Sequence, residues 1–314
     1  MIPAILFVAL AADFPHAGIS NGSVSAQFML PDAEKGSYQG TRFDWSGIIS
    51  SLTYKDHQFV GQWYPKHDPK IHDAITGPVE EFLSNDAGLG YADAKPGEVF
   101  VRIGVGAVKK PDEKAYRRFE TYDVVDAGDR NWDHGTDWIQ FNHKLYAAGY
   151  GYEYTKTIRL RKAGFTIEHT LKNTGKKAID TVVYNHNFFV IDKEVVGPDM
   201  AIRFAWTPKP DKPFENGGEI SGNEIRYQHE LQPGQTVAAD LSGFDAGTGA
   251  YDMRIENKKA LAGVRIQGDR PLTKLYFWSI RTVACPEPYI HIVVDPLRSF
   301  TWALRYDLYT ISAK

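Results

Sequence analysis

The sequence predicts an all-β protein, a large antiparallel β-sandwich in which two sheets pack face to face within a single domain. Aromatic residues make up 13% of the 314 residues, and this frequency favours strands. The 28 Gly and 17 Pro are spread along the whole chain, as expected for many turns. Several segments alternate apolar and polar residues with a period of two, the pattern of a half-buried strand. No linker, like-charge block or repeat divides the chain.

The first third of the chain contains one predicted hairpin and one predicted helical turn. Residues 47–54 and 58–63 form the two strands of the hairpin, with turn residues between them. Residues 78–83 begin with Pro and include Glu80 and Glu81, a composition that fits the first turn of a helix. Glycines soon follow, so we expect only a short helix there.

The remaining segments are predicted as strands with one long loop. Residues 157–161 and 165–171 alternate on either side of a Gly-containing turn, which predicts a hairpin. Residues 179–191 are largely apolar and predict a third antiparallel strand in the same row. Residues 300–309 alternate strictly and predict a C-terminal strand, whereas the prolines and paired glycines of residues 208–218 predict a surface loop.

The composition argues against several classes of function. A net charge of -3 provides no global positive field, so we expect neither a nucleic-acid partner nor a membrane partner. A single cysteine, Cys285, excludes an internal disulfide and a four-cysteine zinc site. The sequence has no glycine-rich nucleotide motif and no G-x-S-x-G elbow. We therefore expect no cofactor.

Residues 2–12 form a strongly apolar run at the start of the chain. About a dozen residues are too few to span a bilayer, which needs about 20. The triplet Ala9-Leu10-Ala11 resembles the cleavage site of a secretory signal, so residues 1–12 are predicted as a signal peptide of a periplasmic or secreted protein. No Lys or Arg precedes the run, which leaves open a core strand in a cytoplasmic protein.

Three motifs place polar side chains where apolar ones are expected. Residues 184–189, Tyr-Asn-His-Asn-Phe-Phe, put a polar set inside an apolar strand, where polar groups need a partner or a ligand. Residues 285–289, Cys-Pro-Glu-Pro-Tyr, hold one glutamate on backbone stiffened by two prolines. Residues 40–45 place an Arg and an Asp on either side of an aromatic residue.

The order of these motifs resembles the aldose 1-epimerase, or galactose mutarotase-like, superfamily. Residues 171–175, Leu-Lys-Asn-Thr-Gly, residues 185–189 and residues 285–288 carry the resemblance. It implies the galactose mutarotase-like supersandwich, a large antiparallel β-sandwich of about this length, as a single domain over residues 20–311.

The resemblance also implies a chemistry. In that family a histidine protonates the ring oxygen of a cyclic sugar and a late glutamate takes the proton of the anomeric hydroxyl, so the ring opens and closes on the other face of C1. His186 would be the general acid and Glu287 the general base. Ordinary pKa values of about 6.5 and 4.3 suit an imidazolium and a carboxylate near neutral pH. We expect the two on opposite sides of a sugar-sized space in one cleft, without a metal.

Each of these residues also has a structural alternative. A histidine in an apolar strand is commonly a satisfied core residue, and Glu287 could be an exposed carboxylate in a turn. Arg42, Asn185 and Asn187 are predicted substrate contacts. Four tryptophans are candidates for the apolar wall on which a sugar stacks, with core packing as the alternative: Trp45, Trp63, Trp138 and Trp278.

The sequence departs from the family pattern at one position. The second, sugar-binding histidine of the family has no counterpart in residues 100–106. Arg102 is the predicted replacement donor there, with His134 and His143 as alternatives from neighbouring loops. An aspartate that contacts sugar hydroxyls in the family has two candidates, Asp245 and Asp252.

Residues 67–73, His-Asp-Pro-Lys-Ile-His-Asp, contain two histidines and two aspartates without a recognised metal-binding spacing. They are predicted as a charged loop at the rim of a cleft, with a metal site as the alternative. Two functions remain, and both have a carbohydrate partner. One is an aldose 1-epimerase acting on a free sugar or a derivative; the other is a non-catalytic carbohydrate-binding protein on the same fold.

Overall fold

A computed structural model describes residues 14–312, which form 23 strands and one 3₁₀ turn, Thr248–Ala250. The predicted signal peptide, residues 1–12, lies outside the described residues. No helix in this part of the chain is long and apolar enough to cross a membrane. The strands are β1 (His16–Ser20), β2 (Val24–Met29), β3 (Ile48–Tyr54), β4 (His57–Val60), β5 (Gly77–Leu83), β6 (Val99–Arg102), β7 (Gly106–Lys109), β8 (Val124–Asp126), β9 (Asp129–His134), β10 (Trp138–Ala147), β11 (Tyr150–Arg161), β12 (Gly164–Asn173), β13 (Ile179–Phe188), β14 (Met200–Phe204), β15 (Lys209–Pro210), β16 (Gly218–Ser221), β17 (Glu224–Tyr227), β18 (Val237–Ser242), β19 (Asp252–Asn257), β20 (Ala262–Gly268), β21 (Lys274–Ile280), β22 (Val283–Val294) and β23 (Ser299–Thr310).

The strands form four antiparallel sheets. The largest has ten strands in the order β16-β17-β14-β19-β20-β23-β12-β11-β10-β9, and the second has six in the order β15-β18-β21-β22-β13-β5. Strands β1 to β4 form a sheet of four, and β6 to β8 form a sheet of three. The predicted all-β sandwich is confirmed, with two smaller sheets added to the two that were expected.

The main apolar core lies between the ten-stranded and the six-stranded sheets. Phe165 and Tyr306 stack with their ring centroids 4.5 Å apart on the ten-stranded side, and Phe277 and Ile292 are fully buried on the six-stranded side. Burial of side chains of this size contributes roughly 1.5–3 kcal/mol each to folding. The Tyr306 hydroxyl also donates to Asn187 Oδ1 at 3.1 Å and so links the two sheets.

The predicted hairpins are confirmed as β3 with β4 and β11 with β12. The first residue after the turn of the second hairpin must be glycine, because Gly164 has a φ of +136° and a Cβ there would lie 1.9 Å from the Tyr306 carbonyl oxygen of β23. The predicted C-terminal strand is confirmed as β23, which lies between β20 and β12 in the ten-stranded sheet.

Two predictions about secondary structure are wrong. The predicted helix at residues 78–83 is the fully buried strand β5, because Glu80 and Glu81 are paired with the buried cations Lys156 and Arg42 instead of facing water. The predicted third strand exists as β13, but it lies between β22 and β5 in the six-stranded sheet and is not a neighbour of β12. The predicted loop at residues 208–218 is a loop apart from the two-residue strand β15 and the start of β16.

A second apolar cluster covers the face of the six-stranded sheet that is turned away from the ten-stranded sheet. It includes Phe43 and Trp63 from loops, Phe100 from β6, and Tyr184 and Phe188 from β13, all buried. The candidate site lies in this cluster.

Candidate functional site

The side chains of the polar motif on strand β13 lie in two different environments, one on each face of the sheet. Successive side chains of a strand point to opposite faces of the sheet. Tyr184, His186 and Phe188 therefore lie in the second cluster, whereas Asn185 and Asn187 point into the main core.

The structure brings His186 and Glu287 into direct contact. Strand β22 pairs with β13, with Tyr184 opposite Tyr289, and this register places Glu287 beside His186. His186 Nε2 lies 3.1 Å from Glu287 Oε1, and each residue is only 3% exposed. The two groups lie in one site, but the prediction that they face each other across a sugar-sized space is wrong, because they are in direct contact.

Burial also changes the protonation of this pair. Burial raises the pKa of Glu287 to about 7, although Arg42 and Arg118 act in the opposite direction. Burial lowers the pKa of His186 well below 6.5, and the same two arginines lower it further. Both directions of shift favour a protonated carboxyl beside a neutral imidazole below about pH 7 over an imidazolium and a carboxylate. One dissociable proton is held between a donor and an acceptor.

Aromatic rings fix the imidazole in place. Phe188 stacks on His186 with a centroid distance of 3.8 Å, and Phe43 and Trp278 approach its edges at 5.8 and 5.7 Å. Trp63 stacks in turn on Phe188 at 4.8 Å. Ring stacking and T-shaped contacts of this kind stabilise a single ring orientation. Trp278 and Trp63 thus lie at the site, as two of the four predicted wall residues.

Beside the pair, three arginines surround one buried carboxylate. Glu81 accepts from Arg42 Nε at 2.9 Å, from Arg118 Nη2 at 2.9 Å and from Arg102 Nη2 at 3.3 Å. The Tyr184 hydroxyl donates to Glu81 Oε2 at 2.5 Å and accepts from Arg42 and Arg118. Burial alone would raise the pKa of Glu81, but the three arginines hold it at about 2.

Arg42 and Arg102 were both predicted to contact substrate, and their surroundings differ. Arg42 lies over the Phe43 ring at 4.4 Å, next to the His186 imidazole that packs against the same ring. Arg102 is 1% exposed, and it donates to the backbone carbonyls of Thr41, Ala87 and Arg42 as well as to Glu81. Arg102 therefore positions Glu81 and the Arg42 backbone.

The main core holds a second charge network behind β13. Lys156 Nζ lies 2.6 Å from Asp44 Oδ2 and also binds Glu80, while His169 Nε2 contacts Glu80 Oε1 at 3.0 Å. Asn185 Nδ2 donates to the same Glu80 oxygen at 2.9 Å. The charges of this network are satisfied within the protein.

Asn187 has its own internal partners. It donates to the carbonyl oxygens of Pro286 and Asn185 and accepts from Tyr306. Both predicted asparagine contacts are thus turned away from His186, because strand alternation places them in the main core.

Several other predicted residues lie apart from the pair. Asp245 is exposed and accepts from the Gly247 backbone, and Asp252 pairs with Arg265 on the neighbouring strand. His134 is exposed on β9, and His143 is buried against Tyr152. Trp45 is buried and donates to the Gly40 carbonyl, and Trp138 lies on β10 in the ten-stranded sheet.

A histidine does approach the site, from the charged loop at residues 67–73. His72 Nδ1 lies 3.4 Å from Arg42 Nη1, and its ring packs 4.8 Å from that of Phe119. Within residues 14–312 no group of three or more His, Cys, Asp or Glu side chains is placed to hold a metal ion. The contacts of His72 place the loop at the rim of the site, where the His72 side chain is 28% exposed.

Sequence reasoning missed Glu81 and Arg118. Glu81 was predicted only as part of a first helical turn, and the pair of arginines at 117 and 118 has no distinctive pattern. A signal for Glu81 was present: two adjacent acids between Val79 and Phe82 in an apolar run must find buried cations if the run is a strand. Arg118 lies on an irregular segment, and no periodicity places such a residue.

Two surface cavities, of about 290 and 680 Å³, lie away from this site. The smaller is lined by residues of β8 to β11 such as Lys144, and the larger by residues of β1, β2 and β9 such as Gln27. Neither lining includes His186 or Glu287.

No family model matches the chain, and no curated protein matches its sequence. Solved structures do match its fold. A galactose mutarotase-like protein from Clostridium acetobutylicum superimposes with a TM-score of 0.58 at 12% identity, covering 95% of this chain and 99% of that one. A galactose mutarotase-like protein from Lactobacillus casei gives 0.53 at 12%, over 94% and 100%. A galactose mutarotase related enzyme from Lactobacillus acidophilus gives 0.52 at 13%, over 95% and 99%. The chain therefore has the galactose mutarotase-like fold, as the sequence resemblance predicted.

Proposed function

We propose that the protein is an aldose 1-epimerase-type isomerase that interconverts the α and β anomers of a free sugar or sugar derivative. The observation that carries the proposal is the contact between His186 and Glu287, two proton-transfer groups that come from different strands and meet at 3.1 Å. This reaction requires a general acid and a general base that can each come within hydrogen-bond reach of one of two neighbouring sugar oxygens. The fold supports the proposal, since its structural neighbours include proteins named as mutarotase-like.

The contact between the two groups is compatible with the reaction. The ring oxygen and the anomeric hydroxyl are both bonded to C1, so the donor and the acceptor can serve them from the same side of the sugar. One proton goes to the ring oxygen as the C1–O bond breaks, and one leaves the anomeric hydroxyl to give the aldehyde. Rotation about the bond between C1 and C2 and the reverse steps give the other anomer.

The resting proton belongs to Glu287 below about pH 7. The family resemblance assigns the donor role to His186, which the proton reaches by crossing the contact between the two side chains. Proton transfer in either direction between the two groups requires the same state of the pair: one group carries a proton that it can donate, and the other can accept a proton. The reaction needs no group beyond these two for its proton transfers.

A non-catalytic carbohydrate-binding protein is the second candidate, and one observation favours it. Both members of the pair are 3% exposed, so a sugar reaches them only after side chains at the rim move. A protein that binds sugar only at the rim would keep His186 and Glu287 buried and out of contact with the sugar.

Polarimetry distinguishes the two candidates. Freshly dissolved α-anomers of a sugar panel are mixed with wild type, with His186→Ala and with His291→Ala, a control on β22 whose exposed imidazole pairs with Asp180. The enzyme accelerates the change in rotation, His186→Ala loses about 10²-fold or more, and the control retains the rate. Binding without acceleration by wild type would favour the non-catalytic protein.

We also propose export, with cleavage after the apolar run of residues 2–12. Mass spectrometry of the mature protein from a bacterial periplasmic fraction tests this. A mature chain that begins near residue 13 is expected, and a chain that retains residues 1–12 would contradict it.

A further inference from the structure

The charges beside the acid/base pair, His186 and Glu287, do not balance. Arg42, Arg102 and Arg118 all contact Glu81, which is fully buried. Within residues 14–312, Glu81 is the one carboxylate within 4 Å of any of the three. Glu287, on which Arg42 and Arg118 also act, has a pKa that burial raises to about 7, so below that pH three positive charges face one negative charge. An excess of positive charge in a poorly hydrated site attracts an anion.

The three arginines differ in the donors that remain free. Arg102 uses its donors on backbone carbonyls and Glu81. Arg42 Nη1 has His72 as its partner, at the long distance of 3.4 Å. Arg118 Nη1 makes no hydrogen bond of 3.5 Å or less in the described part of the chain, and the Arg118 side chain, which also lies beside the Tyr289 hydroxyl, is 31% exposed. Arg118 and Arg42 can therefore donate to an incoming ligand.

An exposed aromatic ring lies beside these donors. Phe119 is 58% exposed and packs within 5.0 Å of the Arg42 guanidinium and 5.9 Å of that of Arg118. His72 lies on the same ring at 4.8 Å. Cationic donors next to an exposed ring form a surface suited to a ligand that is charged at one end and carries an apolar sugar face.

The acid/base pair is connected directly to this rim. Arg42 and Arg118 both donate to the Tyr184 hydroxyl, at 3.0 and 2.8 Å. The Tyr184 ring lies 6.1 Å from the His186 imidazole, and Phe43 contacts both Arg42 and His186. A sugar derivative that binds the rim with one end can thus reach the pair with the other once side chains at the rim move, since His186 and Glu287 are each 3% exposed.

We propose that the substrate is an anionic sugar whose carboxylate or phosphate binds Arg118 and Arg42 while its anomeric carbon lies at His186 and Glu287. This inference rests on the proposed function and adds the substrate class. The guanidinium fork matches both anions, and it discriminates against neutral hexoses because they leave the excess charge uncompensated.

Exchange spectroscopy on the anomeric protons tests the proposal. The panel is D-glucose, D-glucuronate and D-glucose 6-phosphate, and the proteins are wild type, Arg118→Gln and Arg117→Gln. Arg117 is the matched control, since it is 59% exposed and pairs with Glu113 and Glu120. We expect kcat/KM for at least one anionic sugar to exceed that for glucose by about tenfold or more, and Arg118→Gln to remove that advantage. Arg117→Gln retains it.

A measurement on wild type alone guards against a folding defect in Arg118→Gln. Raising KCl from about 0.02 M to about 0.3 M should raise KM for the anionic sugar several-fold and leave KM for glucose unchanged. Preference for glucuronate identifies a carboxylate subsite, and preference for the phosphorylated sugar identifies a phosphate subsite.

The outcomes separate this inference from the proposed function. Two results would overturn the anionic substrate and still support the isomerase. One is an equal kcat/KM for glucose and both anionic sugars, and the other is an equal loss of kcat/KM for all sugars in Arg118→Gln. Anionic sugars that raise the Tm in an Arg118-dependent manner without any exchange support the anion site and overturn the isomerase. If the protein shows neither anomer exchange nor binding of an anionic sugar, both the anionic substrate and the isomerase are overturned.

Discussion

Glu80 and Glu81 are consecutive residues of β5 whose carboxylates lie on opposite faces of the six-stranded sheet. Glu80 binds Lys156 and His169 in the main core, and Glu81 binds Arg42, Arg102 and Arg118 in the candidate site. Strand alternation is the cause, since neighbouring residues of a strand point to opposite faces. One dipeptide thus connects the core of the sandwich to the candidate site.

Replacing Glu81 by Gln should destabilise the fold strongly. The change leaves three buried or half-buried guanidiniums without their carboxylate, and loss of one partner of a buried ion pair costs roughly 3–5 kcal/mol. Urea unfolding of Glu81→Gln measures this. Glu230→Gln, which removes an exposed carboxylate paired with Arg281, should change stability by less than about 0.5 kcal/mol. Equal effects of the two variants would contradict the account.

The fold should lose stability in acid over a defined range. Lys156 and His169 lower the pKa of Glu80 to about 2 despite its burial, and the arginines do the same for Glu81. A carboxyl with a depressed pKa stabilises the fold fully above its ordinary value of 4.5, and this contribution is lost as pH falls from 4.5 to about 2. Chemical unfolding between pH 6 and 2 measures it, and a flat profile below about pH 4.5 would contradict it.

Asn187→Ala should impair the fold and leave the chemistry in place. Its amide makes three internal hydrogen bonds in the main core, on the face away from His186. We expect a loss of about 1–3 kcal/mol in the free energy of unfolding, with KM unchanged. Parallel urea titrations and initial rates separate the two effects. A raised KM at unchanged stability would show that Asn187 faces the sugar.

The value of kcat/KM should fall as pH rises through about 7. The active pair holds one dissociable proton, and burial raises the pKa of Glu287 to about 7, so the pair loses that proton as pH rises through 7. On the acid side, activity should persist until His186 is protonated, because burial lowers its pKa well below 6.5. An initial-rate series from pH 4 to 9 checks both limbs. Activity that rises through pH 7 would require ionised Glu287 and contradict the protonation state of the pair.

Much of this architecture was accessible from sequence, for physical reasons. A period of two in residues 157–171 and 300–309 predicts strands that the structure confirms, because one face of each is buried in the core. The motif order predicted the fold and named both His186 and Glu287. Their direct contact could not be predicted, since it depends on the register of β13 with β22.

The surroundings of the pair were harder to predict. Asn185 and Asn187 share a motif with His186, yet alternation turns them into the main core. Local propensity placed a helix at residues 78–83, and tertiary pairing of Glu80 and Glu81 overrode it. Arg118 comes from an irregular loop, where only the folded chain shows which donors meet Glu81.

The central claim is that the acid/base pair exchanges the anomers of a sugar, and Glu287→Gln tests it most directly. The amide keeps the shape of the side chain and cannot transfer the proton. Because burial raises the pKa of Glu287 from 4.5 to about 7, ionised Glu287 destabilises the fold at pH 8, by at most about 3 kcal/mol. The variant should therefore be at least as stable as wild type at pH 8. Anomer exchange measured by NMR on the sugar that wild type turns over should fall by about 10²-fold or more. Exchange at the wild-type rate in a folded Glu287→Gln protein would contradict the account.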